Sequence, residues 1–231
     1  MNMNDCLSLN EGLSRLLAER YSCRGFRPDP VPRATIERIL ETAQRTASWC
    51  NSQPWRVVVT SGEGTERFRN AILEHARSGA PAAPDFPWPR EYCGEYLARR
   101  RECGFQLYEA VGVRRGDREA GERQRLENFR LFGAPHVAIL TTDEALGVYG
   151  AIDCGAYVGN FMLAAQGAGV ASIAQAALAA YSGLIRSHFG IAADRRVVCG
   201  ISFGYADPQH PANRFRTTRA RLEEVVRWVE R

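Results

Sequence analysis

The stretch from Val148 to Ala171 is the most apolar long run in the chain, yet it carries Asp153, Asn160 and Gln166 and is broken by glycines. A bilayer core tolerates such groups poorly, so the run reads as a central buried helix rather than a membrane span. A helix that apolar needs covering layers. Short β-branched runs on either side of it in the sequence supply them. Trp55 to Thr60 and His136 to Leu140 read as strands, a short strand is expected near Val170 to Ile173, and Arg196 to Tyr205 is the clearest strand of all.

Helices separate and outnumber these strands. Leu9, Leu13, Leu16 and Leu17 recur at helical spacing and predict a first helix ending near Arg20. A second follows Pro32, with Ile36, Ile39, Leu40 and Ala43 as its buried stripe. Thr65 is placed to cap a third helix through His75, another covers about Tyr181 to Phe189, and a terminal helix is expected from about Thr218 to Glu230. Four prolines, Pro81, Pro84, Pro87 and Pro89, mark a loop. From Glu91 to Arg130 the chain is arginine-rich and helical in pattern, with Trp88, Tyr92, Tyr96, Phe105 and Tyr108 near or within it. A flap over a site is one reading of this segment. A solvated helical face with some core aromatics is the simpler one. The whole implies a central sheet flanked by helices.

Composition narrows the function classes. A chain of 231 residues, 45% hydrophobic and 24% charged, has the means to bury one sizeable core. Its net charge of +4 does not by itself argue for nucleic acid. The basic residues are arginines, whose planar fork suits phosphate and carboxylate groups. The seven cysteines, Cys6, Cys23, Cys50, Cys93, Cys103, Cys154 and Cys199, form no C-x-x-C pair. Neither a disulfide scaffold nor a zinc site is expected, and reduced thiols in the cytoplasm are the simpler reading. The opening MNMNDCLSLNEG lacks the charged start and apolar run of a signal peptide.

Three segments carry candidate chemistry. Arg20-Tyr21-Ser22-Cys23-Arg24 flanks a hydroxyl with two guanidinium groups, a set suited to a phosphate monoester; taken alone it is more simply two surface arginines at a helix stop. The loop Thr46 to Trp55 offers Ser48, Asn51 and Gln53, whose hydroxyl and amides match a ring edge of mixed N–H and C=O groups; a turn-rich loop is the alternative. Asn213-Arg214-Phe215-Arg216-Thr217-Thr218-Arg219 places arginines to meet an anion, or forms a basic linker to the last helix. No G-x-G-x-x-G follows a strand, so a Rossmann dinucleotide site is not supported.

In order and spacing, the R-x-S-x-R-x-F of residues 20–26, the S-x-x-N-x-Q-P-W of residues 48–55 and the C-terminal arginine pair resemble the nitroreductase family of FMN-dependent enzymes, over essentially the whole sequence. The runs FGAPHVAILTT, DCGAYVGNFMLAAQ and VVCGISFGYADPQHPANRFRT look most like its nitrobenzoate-reductase subgroup. The resemblance implies an α+β fold, a three-layer α/β/α sandwich on a mostly antiparallel sheet. It implies a homodimer with FMN at the interface and one domain over residues 1–231, with a helical insertion at about 81–130. It further implies that Arg20, Tyr21, Ser22 and Arg24 hold the FMN phosphate with Arg214 and Arg216, that Ser48, Trp49 and Asn51 contact the partner subunit's flavin beside Gln53, and that Arg130 approaches the pyrimidine edge. The backbone of Ile173, Ala174, Gln175 and Ala176 would reach the flavin N5. Ala47 and Ala174 stand where relatives often have proline, which loosens the local backbone.

The implied activity is ping-pong transfer of hydride from NADPH or NADH to a small electron-poor acceptor, foremost a nitroaromatic, with no side chain required as acid or base. Neither a membrane nor a nucleic-acid partner is implied. Arg99 to Arg101, Arg114 and Arg115 would draw in an acidic nitroaromatic, or simply form a solvated face. Three alternatives stand beside this: the same fold as a flavin reductase, dehalogenase or oxidase of a ring-containing metabolite; a non-catalytic flavin-binding protein; and Cys50 or Cys154 as a nucleophile activated by His136, against which buried cysteines are the plainer reading.

Overall fold

Alternation along the strands sets the architecture. The structure, a computed structural model, describes residues 3–230; the Cys6 side chain lies outside the described set, as do Met1 and Asn2 of the expected leaderless start. Four strands, β1 (Arg56–Val59), β2 (His136–Asp143), β3 (Ala171–Gln175) and β4 (Arg195–Gly204), form one sheet in the order β1-β2-β4-β3, each pairing antiparallel. On one face Val58, Val137, Ile139, Ile173 and Val197 pack with Phe68, Ile72 and Ile185. On the other, Val57, Ala138, Leu140, Ile201 and Phe203 pack with Ile36, Ile39, Tyr157 and Phe161. Burial on both faces makes β2 an unbroken buried run from His136 to Thr142, as expected of a strand covered twice.

The helices that supply these faces are α1 (Met3–Glu19), α2 (Arg33–Ala43), α3 (Glu63–Arg77), α4 (Gly94–Ala110), α5 (Arg118–Leu126), α6 (Gly147–Gly167), α7 (Ser182–Phe189) and a single turn, α8 (Leu222–Val225). Helices α2 and α6 cover one side of the sheet, α3 and α7 the other, giving the expected α/β/α layering. The proline-rich stretch is strapped down by Asp85. Its buried carboxylate pairs with Arg186 of α7 and Arg196 of β4 and accepts the Val197 N–H at 2.7 Å.

Several expectations need correction. The terminal helix from Thr218 to Glu230 is reduced to α8: Val226, Trp228 and Val229 are exposed, and a four-residue turn with no apolar surface to pack on does not propagate. Thr65 is not a cap. Helix α3 starts two residues earlier, and the buried Thr65 hydroxyl instead lies 2.8 Å from that of Thr60 and donates to the Pro135 carbonyl. The aromatic residues Trp88, Tyr92, Tyr96, Phe105 and Tyr108 are exposed rather than core, and neither α4 nor α5 buries a residue. Those two helices are laced by one-turn ion pairs such as Arg99–Glu95 and Arg123–Glu119. Helix α6 is buried on one face only. Gly150, Cys154, Tyr157, Val158 and Phe161 face the sheet, whereas Val148, Tyr149 and Ile152 are exposed in the single chain. Among the described residues no helix is long and apolar enough to cross a membrane.

Candidate cofactor site

The two ends of the chain meet because Asn213 stitches them together. Its buried side chain accepts the Arg24 N–H (2.8 Å) and donates to the carbonyls of Gly25 (2.8 Å) and Asp207 (2.9 Å). The Arg27 N–H reaches the Tyr205 carbonyl, and Ser22 bridges in parallel to Ser172 of β3. Gly25 is required there: a Cβ would sit 2.1 Å from the His210 ring.

This stitching leaves a recess of about 320 Å³ lined by Arg20, Tyr21, Ser22, Arg24, Arg216 and Arg219, with Cys103 of α4 and Phe215. The Arg216 guanidinium lies 3.7 Å from the Tyr21 ring centroid, and Arg24 faces the Phe215 ring at 5.9 Å. Elsewhere arginines find carboxylates one helical turn away, as Arg15 finds Glu19 and Arg33 finds Glu37. Among the described residues Arg20, Arg24, Arg216 and Arg219 pair with none. Burial, then the neighbouring Arg219, pushes the Arg20 pKa down, and burial does the same to Arg24. Four cations without a counter-ion, Arg20 and Arg24 half-buried and Arg216 and Arg219 exposed at the rim, are the electrostatics of an anion site, and a phosphate monoester fits the donors present.

Arg214 is not brought to this recess; it is exposed and donates to the Gln209 carbonyl (3.2 Å). Arg219, three residues past Arg216 in the same tract and without an expected role, lines the recess instead. Asn213, the residue that joins the ends, also stood unassigned at the head of that tract.

The second expected segment is a strained loop. Cys50, Asn51 and Gln53 adopt φ of 49°, 54° and 46°, left-handed conformations that cost non-glycine residues about 1 kcal/mol each. The loop is held by Asp153 of α6, which accepts the Trp49 N–H, and by the Ser48 hydroxyl, which accepts the Gln53 N–H at 2.9 Å. Gln53 donates to the Asn51 side-chain oxygen (3.0 Å) and accepts from Gln44 (2.9 Å), so its amide is spent within the loop. The Ser48 proton and the Asn51 amide N–H groups stay available. Trp49 is exposed, edge-on to the exposed Tyr149 at 4.3 Å.

Loop and recess stand apart in one chain. Trp49 is anchored at Asp153, and Leu16, one turn before Arg20, lies beside Gly167. The two anchor points are separated by roughly 21 Å along α6.

A third group gathers at the end of β3. The Gln175 side chain is buried; it donates to the Asn128 carbonyl (2.9 Å) and accepts from Ser202, leaving only its backbone for any ligand. That bond draws the turn carrying Arg130 to β3. Arg130 itself pairs with Glu127. Ile173 is buried, whereas Ala174 and Ala176 are exposed.

The thiol alternative finds no support. The buried His136 ring accepts the Val31 N–H at Nε2 (2.9 Å), so Nδ1 donates to the Thr60 carbonyl, and both nitrogens are occupied. Burial pushes the Cys154 thiol up to about 11, the wrong direction for a nucleophile.

Comparison with known proteins accords with this arrangement. The nitroreductase family profile matches residues 17–205. A nitroreductase of Mycolicibacterium smegmatis, NfnB, is 36% identical over 96% of this chain and 94% of its own length. A 4-nitrobenzoate reductase of a Nocardioides species is 30% identical over 95% of this chain and 90% of its own. The crystal structure of the FMN-dependent nitroreductase NfnB from Mycobacterium smegmatis in complex with NADPH superposes with a TM-score of 0.91, at 35% identity, over 96% of this chain and 99% of that one. Fold, motif order and whole-length similarity agree, and the chain belongs to the nitroreductase family.

Proposed function

We propose that this protein is an FMN-dependent oxidoreductase that takes hydride from NADPH or NADH and delivers it to a nitroaromatic acceptor. The observation that carries the reading is the carboxylate-free recess in which Arg20, Arg24, Arg216 and Arg219 converge from opposite ends of the chain around Tyr21 and Ser22. These residues would hold the FMN phosphate. Relatives named as nitro-group reductases, one solved with NADPH, support the same assignment. The chemistry that bound flavin supplies is two-electron transfer as hydride.

The protein's own contribution is orientation and electrostatics. Arg130, in the turn drawn to the end of β3 and paired with Glu127, would turn its guanidinium toward a reduced, anionic flavin. Ser48 and Asn51, with Trp49 beside them, present polar groups for a ring edge, but some 20 Å along α6 from the same chain's recess. A second copy resolves the separation. Its loop would complete the first chain's recess, and the apolar face of Val148, Tyr149 and Ile152 next to that loop is the surface a second copy would cover. A cytoplasmic setting fits the unpaired thiols, exposed Cys50 and Cys93 among them. The test is steady-state: purified protein loaded with FMN should oxidise NADPH or NADH much faster when 4-nitrobenzoate or nitrobenzene is added. Rates unchanged by every nitroaromatic tried would remove the acceptor class.

A further inference from the structure

Two cavities meet at Cys103, the arginine recess and an unassigned neighbour. Arg99, Cys103 and Gln106 share one face of α4 at helical spacing. Cys103, Thr217 and Arg219 line the recess and also a second cavity of about 670 Å³ between α4 and the C-terminal tract. That cavity carries mixed charge, Arg99 and Arg219 against Glu102 and Glu224. It also holds a buried acceptor, the Gln106 Oε1, which no donor meets among the described residues. An unmet buried acceptor calls for an N–H. Partners for a carboxylate, an ammonium and an amide together suit a small acidic peptide. The thiol at the junction differs from the others. Burial pushes Cys23 and Cys154 up to about 11 and Cys199 up to about 12, which keeps them inert. Cys50 and Cys93 are exposed and line neither cavity. Cys103 is half-buried beside the unpaired arginines. Burial lowers the Arg24 pKa, and the charge of Cys103 partly offsets it, so the two groups act on each other.

We propose that Cys103 is a modification site that exchanges with small acidic peptide disulfides, and that the adduct shuts the recess against the FMN phosphate. The Cys103 thiolate attacks one sulfur of the incoming disulfide. A new S–S bond forms as the old one breaks, and the departing half leaves as a thiolate that takes up a proton. No further oxidant is needed. The unpaired arginines concentrate the anionic reagent. The second cavity seats its peptide, and a carboxylate beside Arg219 occupies charge that the phosphate would use. The consequence for FMN rests on the cofactor reading; the chemistry at the thiol does not.

Mixed-disulfide formation in the full-length protein, located by peptide mass spectrometry, tests it. Without flavin and at low salt, oxidised glutathione should outpace the neutral 2-hydroxyethyl disulfide at Cys103 about tenfold more than it does at exposed Cys93. High salt should remove that preference. FMN added first should slow the modification, and the adduct should take up no FMN until dithiothreitol restores the thiol. Cys103→Ser should take up the same amount of FMN with and without the disulfide. The same reagent preference at Cys103 and Cys93 overturns the proposal. So does modification at a rate that FMN leaves unchanged, or normal FMN uptake by the adduct. Should the serine variant fail to fold, the peptide map and FMN protection of the parent decide. A parent chain that takes up no FMN fails at the cofactor reading instead, and the charge preference at Cys103, read without flavin, still decides the modification site.

Discussion

At the scale of single residues, the cofactor assignment turns on charge without a counter-charge. Arg20 and Arg216 line the recess and pair with no carboxylate, whereas Arg100, over the Tyr92 ring, lies outside it. Charge-assisted bonds to a phosphate are worth about 1.5–3 kcal/mol each. Arg20→Ala and Arg216→Ala should therefore each raise the FMN dissociation constant roughly 10- to 100-fold, with Arg100→Ala near parent, as read by flavin fluorescence titration. Arg219→Ala should behave like the recess variants and Arg214→Ala like Arg100→Ala; the reverse order would return the phosphate to the pair the sequence suggested. Asn213 tests the stitching. Asn213→Ala leaves the Gly25 and Asp207 carbonyls without its amide and should cost about 2–3 kcal/mol of stability, measurable by denaturant unfolding. The sequence displayed the arginines but not their partition. Alternate spacing in a loop does not say which side chain turns inward, and the roles of Asn213 and Arg219 depend on contacts between the two ends of the chain, such as the Arg24 N–H to Asn213 bond across 189 positions.

At the scale of elements, local pattern was legible wherever a segment packs on the sheet and misleading where it does not. The strands and helices α2, α3, α6 and α7 bury periodic faces, and their spans agree with the apolar spacing to within a few residues. The last segment had the composition of a helix but no surface to bury it, so only one turn forms. Helix α6 shows the same physics: its apolar content exceeds what one chain covers. Element packing also sets a pH dependence. Burial lowers the His136 pKa below its ordinary value, and the bond to the Thr60 carbonyl, which acts the other way, only partly offsets it. The unfolded chain then binds the proton more readily. His136 thus contributes stability that is fully present above about pH 6.5 and is lost as pH falls through the lower folded-state pKa. His188 shifts the same way, from burial and the nearby Arg67. The thermal midpoint should drop on acidification below pH 6.5, and His136→Gln should flatten part of that slope, though at reduced overall stability. A parent midpoint that rises over this window would contradict the burial argument.

At the scale of the whole molecule, the recess and the strained loop are anchored about 20 Å apart along one helix, and the proposed function has the loop of one chain complete the recess of another. The account therefore requires association. Ile152, 57% exposed beside the loop, is the position to disturb it. Ile152→Glu should shift the protein from dimer to monomer in light scattering and weaken FMN retention while the chain stays folded by circular dichroism; a monomeric parent that binds FMN tightly would refute the shared site. The most direct measurement is the visible spectrum of the full-length protein after incubation with FMN and gel filtration, followed without oxygen through addition of NADPH and then 4-nitrobenzoate. The account predicts a yellow protein with one FMN per chain, bleached by the nicotinamide and recoloured by the nitro compound. A colourless protein, or a bound flavin that neither NADPH nor NADH reduces, would contradict it.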